Sequence, residues 1–573
     1  MKVIVLGAGI GGLTAAHELA KRDIQVVVYE RNDRVGGLAR SKYYTQDKKT
    51  YPVEYSWRVY GTGYKNLQRV LKEIPLREDQ DKSIFNNLLR VATYIFPRFD
   101  RPEVILSPEY KTQGSAWDLS SQEKLQMIDK MFYCITMSRT RMDSMDKLKW
   151  KDFCEDLSGE AKKYMVRMWG PVLGMDPSYM SFPVVARIVG VVFGGFLSTA
   201  GALYLMKKPT NDGWFDEWVA YLESKGVSIQ TQHALRDIRI KDGKVSGVSV
   251  YDVEQDSEVE DTADYYVLGL SVEALAKIVE AHPDLKKIPE LHNSIPLAKV
   301  SRQVQLSVQI FLDQTVIYPT HQPPILYLPD SPWAIIIEPQ ELVWGKTYST
   351  DPRVKSVWSV GICQTDEPGI LIKKSFNECS QEEIRQEVWA QIKRSYAQAN
   401  IKTESGEKVS EQHEVLFYMW DSFKYNPYTK LMEIWEPKFS NNAASLQYQP
   451  SSSTSVSNLF FATGYTKTDR FIYSMESAAE AGTNCVNKIL EVSGTRQPKT
   501  KKYPFKLPVS ILKPLIWIDA GLFKLGLPHM GDMLPNSLWM MGGYACLLCL
   551  VFAGVVWGFA QVLFLVNYQY VST

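Results

Sequence analysis

Lys2-Val3-Ile4-Val5-Leu6-Gly7-Ala8-Gly9-Ile10-Gly11-Gly12 is the stretch that decides the fold. Its first five residues read as a buried parallel strand. The glycine run then opens a helical pattern with Leu13, Ala16, Leu19 and Ala20 on one side, and Val26-Val27-Val28-Tyr29 makes a second strand ending in Glu30. Gly7 permits a tight turn, Gly9 lets backbone N–H groups approach a pyrophosphate, and Gly12 lets helix and strand touch. The helix start turns its partial positive charge on the phosphates. Glu30, about twenty residues on, is placed to accept from both ribose hydroxyls. Strand, helix, strand and terminal acid in register predict an α/β, Rossmann-like dinucleotide-binding unit.

The residues that follow bear on which dinucleotide is held: Arg31-Asn32-Asp33-Arg34-Val35-Gly36-Gly37-Leu38-Ala39-Arg40-Ser41. The pattern R-x-G-G-x-x-x-S after the acidic residue resembles the flavin-containing amine oxidoreductase superfamily, which includes amine oxidases, phytoene desaturases and hydroxysqualene dehydroxylases. A plain surface turn after a nicotinamide-type fold is the alternative. The resemblance implies FAD, with Gly7, Gly9, Ile10, Gly11, Gly12, Glu30, Arg31, Gly36, Gly37, Leu38 and Arg40 as its first contacts. Gly36 and Gly37 expose further N–H donors near the diphosphate, and Arg34 or Arg40 can offset its charge.

A second motif lies far along the chain. Leu459-Phe460-Phe461-Ala462-Thr463-Gly464-Tyr465 reads as a buried strand ending in glycine, and Ser474-Met475-Glu476-Ser477-Ala478-Ala479-Glu480-Ala481-Gly482 opens a small-residue helix. This is similar to the superfamily's C-terminal flavin signature, which implies contacts from Gly464, Met475, Glu476 and Ala479. A helix start there would stabilise negative charge developing on the ring. Leu235, in a strand–turn–strand resembling the segment that passes the adenine, is a further candidate. Tyr465 departs from the pattern: many relatives carry an acid after the glycine, so Thr466, Asp469 or backbone groups must serve. The resemblance covers most of residues 1–493.

Between the motifs the chain is interrupted, which predicts a discontinuous FAD-binding domain beside an α+β substrate domain. The expected division is FAD-binding at 1–119, 211–275 and 441–493, helical substrate-domain material at 120–210, and an antiparallel substrate sheet with helices at 276–440. Val304, Leu306, Val308, Ile310 and Leu312 alternate with Gln305, Ser307, Gln309 and Phe311, as a strand with one covered face would. A basic, amphipathic linker at 494–536 and a transmembrane helix at 537–567 complete the order. Residues 183–206 are apolar too, but Arg187 and four glycines favour a buried or membrane-apposed helix there.

Composition sets outer limits. The 573 residues carry 65 Lys+Arg against 64 Asp+Glu, a formal charge of +1, so no global field draws nucleic acid. Hydrophobic residues at 45% and charged at 23% exclude a mainly disordered chain. Seven scattered cysteines and seven histidines without HxxxH or HxH spacing point to no disulfide framework and no metal. Cys546 and Cys549 form a CxxC inside an apolar run that opposes a thiolate.

A flavin removes hydride from a C–H bond, so the protein's task is positioning and excluding water. Spacing singles out no general base; Tyr465, Tyr473 and Lys299 are the weak candidates. The run from Leu538 to Val566 carries no Asp, Glu, Lys, Arg or His and is long enough to cross a bilayer. Arg496, Lys499, Lys501, Lys502, Lys506, Lys513 and Lys524 precede it, which predicts a single-pass C-terminal anchor with the catalytic body on the cytoplasmic side. The favoured function is an FAD-dependent desaturase or dehydrogenase of a small lipophilic, isoprenoid-like substrate, with oxygen or quinone as electron acceptor. An amine oxidase, a redox-neutral flavin isomerase and a non-enzymatic prenyl-protein carrier are the alternatives.

Overall fold

The computed structural model describes residues 1–108, 118–189, 203–303, 305–504 and 512–533. Strand β1 (Lys2–Leu6) passes through a turn into helix α1 (Ile10–Ala20) and on to β2 (Gln25–Tyr29). Gly7 makes that turn with φ +105°, and a Cβ there would lie 2.7 Å from the Gly269 carbonyl oxygen. A five-stranded parallel sheet forms in the spatial order Ser228–Gln230, β2, β1, Tyr265–Leu268, Leu459–Phe461. Three separated stretches of chain build it. The strand Tyr265–Leu268 sits inside the sheet, beside β1, and Leu459–Phe461 forms the edge.

The second large layer is a seven-stranded sheet. Its core strands are Leu306–Leu312, Ser356–Ile362 and Ile335–Pro339, joined antiparallel. Three expectations are corrected here. Thr93–Arg98 and Arg101–Leu106 belong to this sheet, so FAD-domain material gives way well before residue 119. The sheet is also mixed, because Pro324–Tyr327 runs parallel to Thr93–Arg98. Nor is Leu306–Leu312 covered on one face only, since every residue of it is buried. Its polar positions are met in part from within: Ser307 Oγ accepts from the Trp57 N–H at 3.0 Å and Gln309 donates to Ser359 Oγ at 3.2 Å, while Gln309 Oε1 has no partner among the described residues.

Helices Ser121–Thr136, Arg139–Ser144, Gly159–Arg167 and Trp169–Leu173 form a third unit around Trp150, Trp169 and Phe182. Leu203–Met206, expected to be helical, is instead a strand paired with Leu88–Val91. In the basic linker, helix Lys513–Lys524 docks on this unit through buried Asp519, which accepts from the Ser138 N–H at 2.7 Å and from Arg141 Nε at 2.8 Å. No helix among the described residues is long and apolar enough to cross a membrane. The expected anchor at 537–567 and residues 190–202 of the internal apolar run lie outside the described residues.

Candidate flavin and substrate cavity

Loops leaving β1, β2 and the strands Tyr265–Leu268 and Leu459–Phe461 all open into one cavity of about 480 Å³. It therefore lies beyond the carboxyl ends of the strands, where doubly wound sheets place their ligands. A Cβ on Gly11 would run into the Ala462 carbonyl, so only glycine lets the closing motif reach the start of α1. The N-cap of α1, Gly9, provides no side-chain bond, leaving the first N–H groups of the helix unsatisfied from within. That arrangement fits a diphosphate.

Of the residues singled out from sequence, Gly7, Gly9, Ile10, Gly11, Glu30 and Arg31 line the cavity, as do Gly36, Gly37, Leu38, Arg40, Leu235, Gly464 and Met475. Glu30, only 5% exposed, also holds the loops together. It accepts from the Ala8 N–H at 2.8 Å and from the Asn32 N–H and side chain at 3.0 and 2.7 Å. The two glycine loops are tied by the Gly36 N–H donating to the Ala8 carbonyl at 2.9 Å. Arg34 turns away to Asp216 at 3.1 Å. Arg40 instead reaches Glu436 at 2.7 Å, and Arg31 shares that carboxylate at 2.9 Å. Burial would raise the Glu436 carboxyl, but Arg40 and Arg31 outweigh it and hold it below its ordinary value.

Six of the expected site residues stand elsewhere. Gly12 does not line the cavity, being pressed against Gly7 and Val5 behind the turn. Glu476 is buried and accepts from the Asn66 and Leu67 N–H groups at 3.0 and 2.8 Å, capping helix Lys65–Glu73. Ala479 is fully buried in the small-residue helix, and its neighbour Ala478 lines the cavity instead. Lys299 is exposed on helix Ser294–Ser301, away from the cavity. Thr466 and Asp469 are absent from the wall too: Thr466 bonds Thr463, and Asp469 pairs with Lys502.

Tyr465 and Tyr473 both line the cavity and flank Phe439, with ring centroids 5.7 and 5.0 Å from it. Tyr465 donates to the Leu270 carbonyl at 3.2 Å. Sequence reasoning missed Tyr55, Trp57, Arg58, Leu173, Glu273 and Lys438, which complete the wall. Arg58 is paired with Glu54 at 2.9 Å. Glu273 keeps its Oε1 without a partner among the described residues, and burial pushes its carboxyl up to about 7. Burial pushes the Lys438 ammonium down to about 8; the Cys363 thiol opposes that shift and Arg58 adds to it.

Comparison with known proteins agrees with this geometry. The model of the family described as flavin containing amine oxidoreductase matches residues 10–490. The 15-cis-phytoene desaturase of Synechococcus elongatus is 23% identical over 48% of this chain and 59% of its own length. The zeta-carotene desaturase of Solanum lycopersicum is 24% identical over 49% of each. A possible lysine-specific histone demethylase 1 of Drosophila melanogaster is 32% identical over 22% of this chain and 16% of its own. The matched stretches thus span less than two thirds of these curated relatives. Putrescine oxidase shares the fold, with a TM-score of 0.57, 14% identity and coverage of 86% of this chain and 98% of that one. Cyclohexylamine oxidase from Brevibacterium oxydans shares it at a TM-score of 0.54 and 13% identity, over 86% and 99%. The chain belongs to the flavin-containing amine oxidoreductase family, and is a flavoprotein oxidoreductase whose cofactor is FAD.

Proposed function

We propose that this flavoprotein works at a membrane as a desaturase or dehydrogenase of a lipophilic, isoprenoid-like substrate. The observation that carries the reading is the wall beyond the glycine loops, where Trp57, Leu173, Phe439 and Tyr473 face one continuous cavity. Buried apolar walls of this kind hold an apolar guest and exclude water. The names of the carotenoid desaturases among the relatives support the same class. In this reading the turns at Gly7–Gly11 and Gly36–Leu38 hold the diphosphate, Glu30 the ribose, Leu235 the adenine, and Gly464 and Met475 the ring end. FAD, when bound, supplies the hydride acceptor. The chain's own part is to pack the substrate against the Tyr465–Phe439–Tyr473 rings and to hold a proton at Glu273 Oε1.

Anaerobic mixing with a panel of polyprenyl compounds tests this. Bleaching of the flavin by at least one of them is expected, whereas inertness to the whole panel together with peroxide release from polyamines or aryl amines would establish an amine oxidase instead.

Membrane attachment is supported by the helix Lys513–Lys524 and its sequel, where Trp517 is 71% and Leu525 75% exposed, immediately before the apolar run 538–566. The lysines that precede the apolar run support a catalytic body on the cytoplasmic side. A bilayer-borne quinone then competes with oxygen as electron acceptor. The full chain is expected to float with anionic liposomes through a density gradient; recovery from the bottom fractions alone removes this part of the proposal.

A further inference from the structure

Leu173 and Gly174, at the end of the helical unit, line the cavity, and the Lys438 ammonium stands beside Gly174. Lys438 is placed by the short antiparallel pairing of Lys438–Phe439 with Arg302–Gln303, which puts it opposite Gln303. Its Nζ donates to Gln305 Oε1 at 2.9 Å. Gln305 is fixed in turn, donating its own amide to Cys363 Sγ at 3.2 Å. An ammonium has three donors, so two remain for the cavity.

The other cations of the cavity wall differ: Arg31 and Arg40 are neutralised by Glu436, Arg58 is neutralised by Glu54, and Arg236 and Lys277 are exposed. Among the described residues no carboxylate pairs with Lys438. A cation taken out of water is costly unless a counter-charge meets it. Nearby, Trp57, Leu173 and Phe439 supply only apolar surface for a chain to lie on.

We infer that Lys438 is a specificity-determining residue that receives the carboxylate of an amphiphilic substrate, a lipophilic chain ending in an oxygen anion. The inference rests on the proposed lipophilic-substrate reading and narrows it. A pure hydrocarbon leaves the ammonium unmet, and a protonated amine is repelled by it. A carboxylate accepts both spare N–H groups while its chain covers the rings. The ammonium is still protonated at neutral pH, since burial lowers it only to about 8.

The test uses the flavin-loaded full chain and three probes of one chain length: farnesoic acid, farnesol and farnesylamine. Binding is read from the perturbation of the flavin absorbance at pH 7. The acid is expected to bind about 10-fold or more tighter than the alcohol or the amine, the size of one charge-assisted contact. Lys438→Met is expected to erase that preference, and Lys438→Arg to retain most of it. Equal affinity for acid and amine in the unaltered protein, binding of none of the three, or a preference that persists in Lys438→Met would each overturn the assignment. The pattern separates the two failures: flavin-loaded protein that binds none of the three strikes the lipophilic-substrate reading as well, while binding of all three without the preference strikes only Lys438.

Discussion

Gly9→Glu is expected to fold normally and to purify without flavin. Gly9 has φ −75° and ψ 174°, extended backbone open to any residue. A Cβ added there would find no heavy atom nearer than the Gly269 carbonyl oxygen at 4.0 Å. The protein itself therefore has room for a side chain. The room is the cavity, however, at the uncapped start of α1, and a carboxylate there occupies and repels the place of a diphosphate. Affinity for FAD is expected to fall by about 100-fold or more, near 2.8 kcal/mol at 1.4 kcal/mol per factor of ten. The ratio of blue to ultraviolet absorbance, with the melting curve of the flavin-stripped forms, measures both halves of the expectation. A full yellow complement in the variant would show that the dinucleotide lies elsewhere.

Glu476→Ala should do the opposite, costing stability far more than it costs cofactor contact. Its carboxylate accepts from the Asn66 N–H at 3.0 Å, the Asn66 side chain at 2.9 Å and the Leu67 N–H at 2.8 Å. Tyr64, the residue before helix Lys65–Glu73, offers no side-chain cap. The closing helix thus caps an early one from across the fold. Truncation strands buried donors, and a loss of about 3 kcal/mol in unfolding free energy is expected. Urea denaturation of the flavin-stripped protein measures it. A variant equally stable but unable to retain FAD would return Glu476 to the cofactor site.

The difference between these two residues shows how much the sequence could disclose. The turn at Gly7–Gly12, the acid at Glu30 and the pair Gly36–Gly37 were legible because each task is done within a few residues of chain. Glu476 misled because its partners, Asn66 and Leu67, are four hundred residues away and leave no local signature. Lys438 and Trp57 were hidden for the same reason, since Lys438 reaches the cavity through a strand register with Gln303 and Trp57 through a backbone hydrogen bond to Ser307 Oγ, neither of which spacing encodes. Gln305, Ser307 and Gln309 read as the more polar face of an alternating strand, and all three are buried. Hydrogen bonds to Cys363, Trp57 and Ser359 make that burial tolerable, so polarity alone misreported the layer. Ala478 replaced Ala479 through a rotation of one residue about the helix, finer than composition resolves.

The contact of Gly11 with the Ala462 carbonyl also has a bearing on biosynthesis. The glycine-rich turn emerges from the ribosome long before the edge strand that abuts it. Until then the nascent chain owns half a cradle, and vitamin capture must wait for the late segment to arrive. A cell short of riboflavin would accordingly hold full-length chains whose seam between Gly11 and Ala462 has closed on no vitamin, rather than early fragments already loaded.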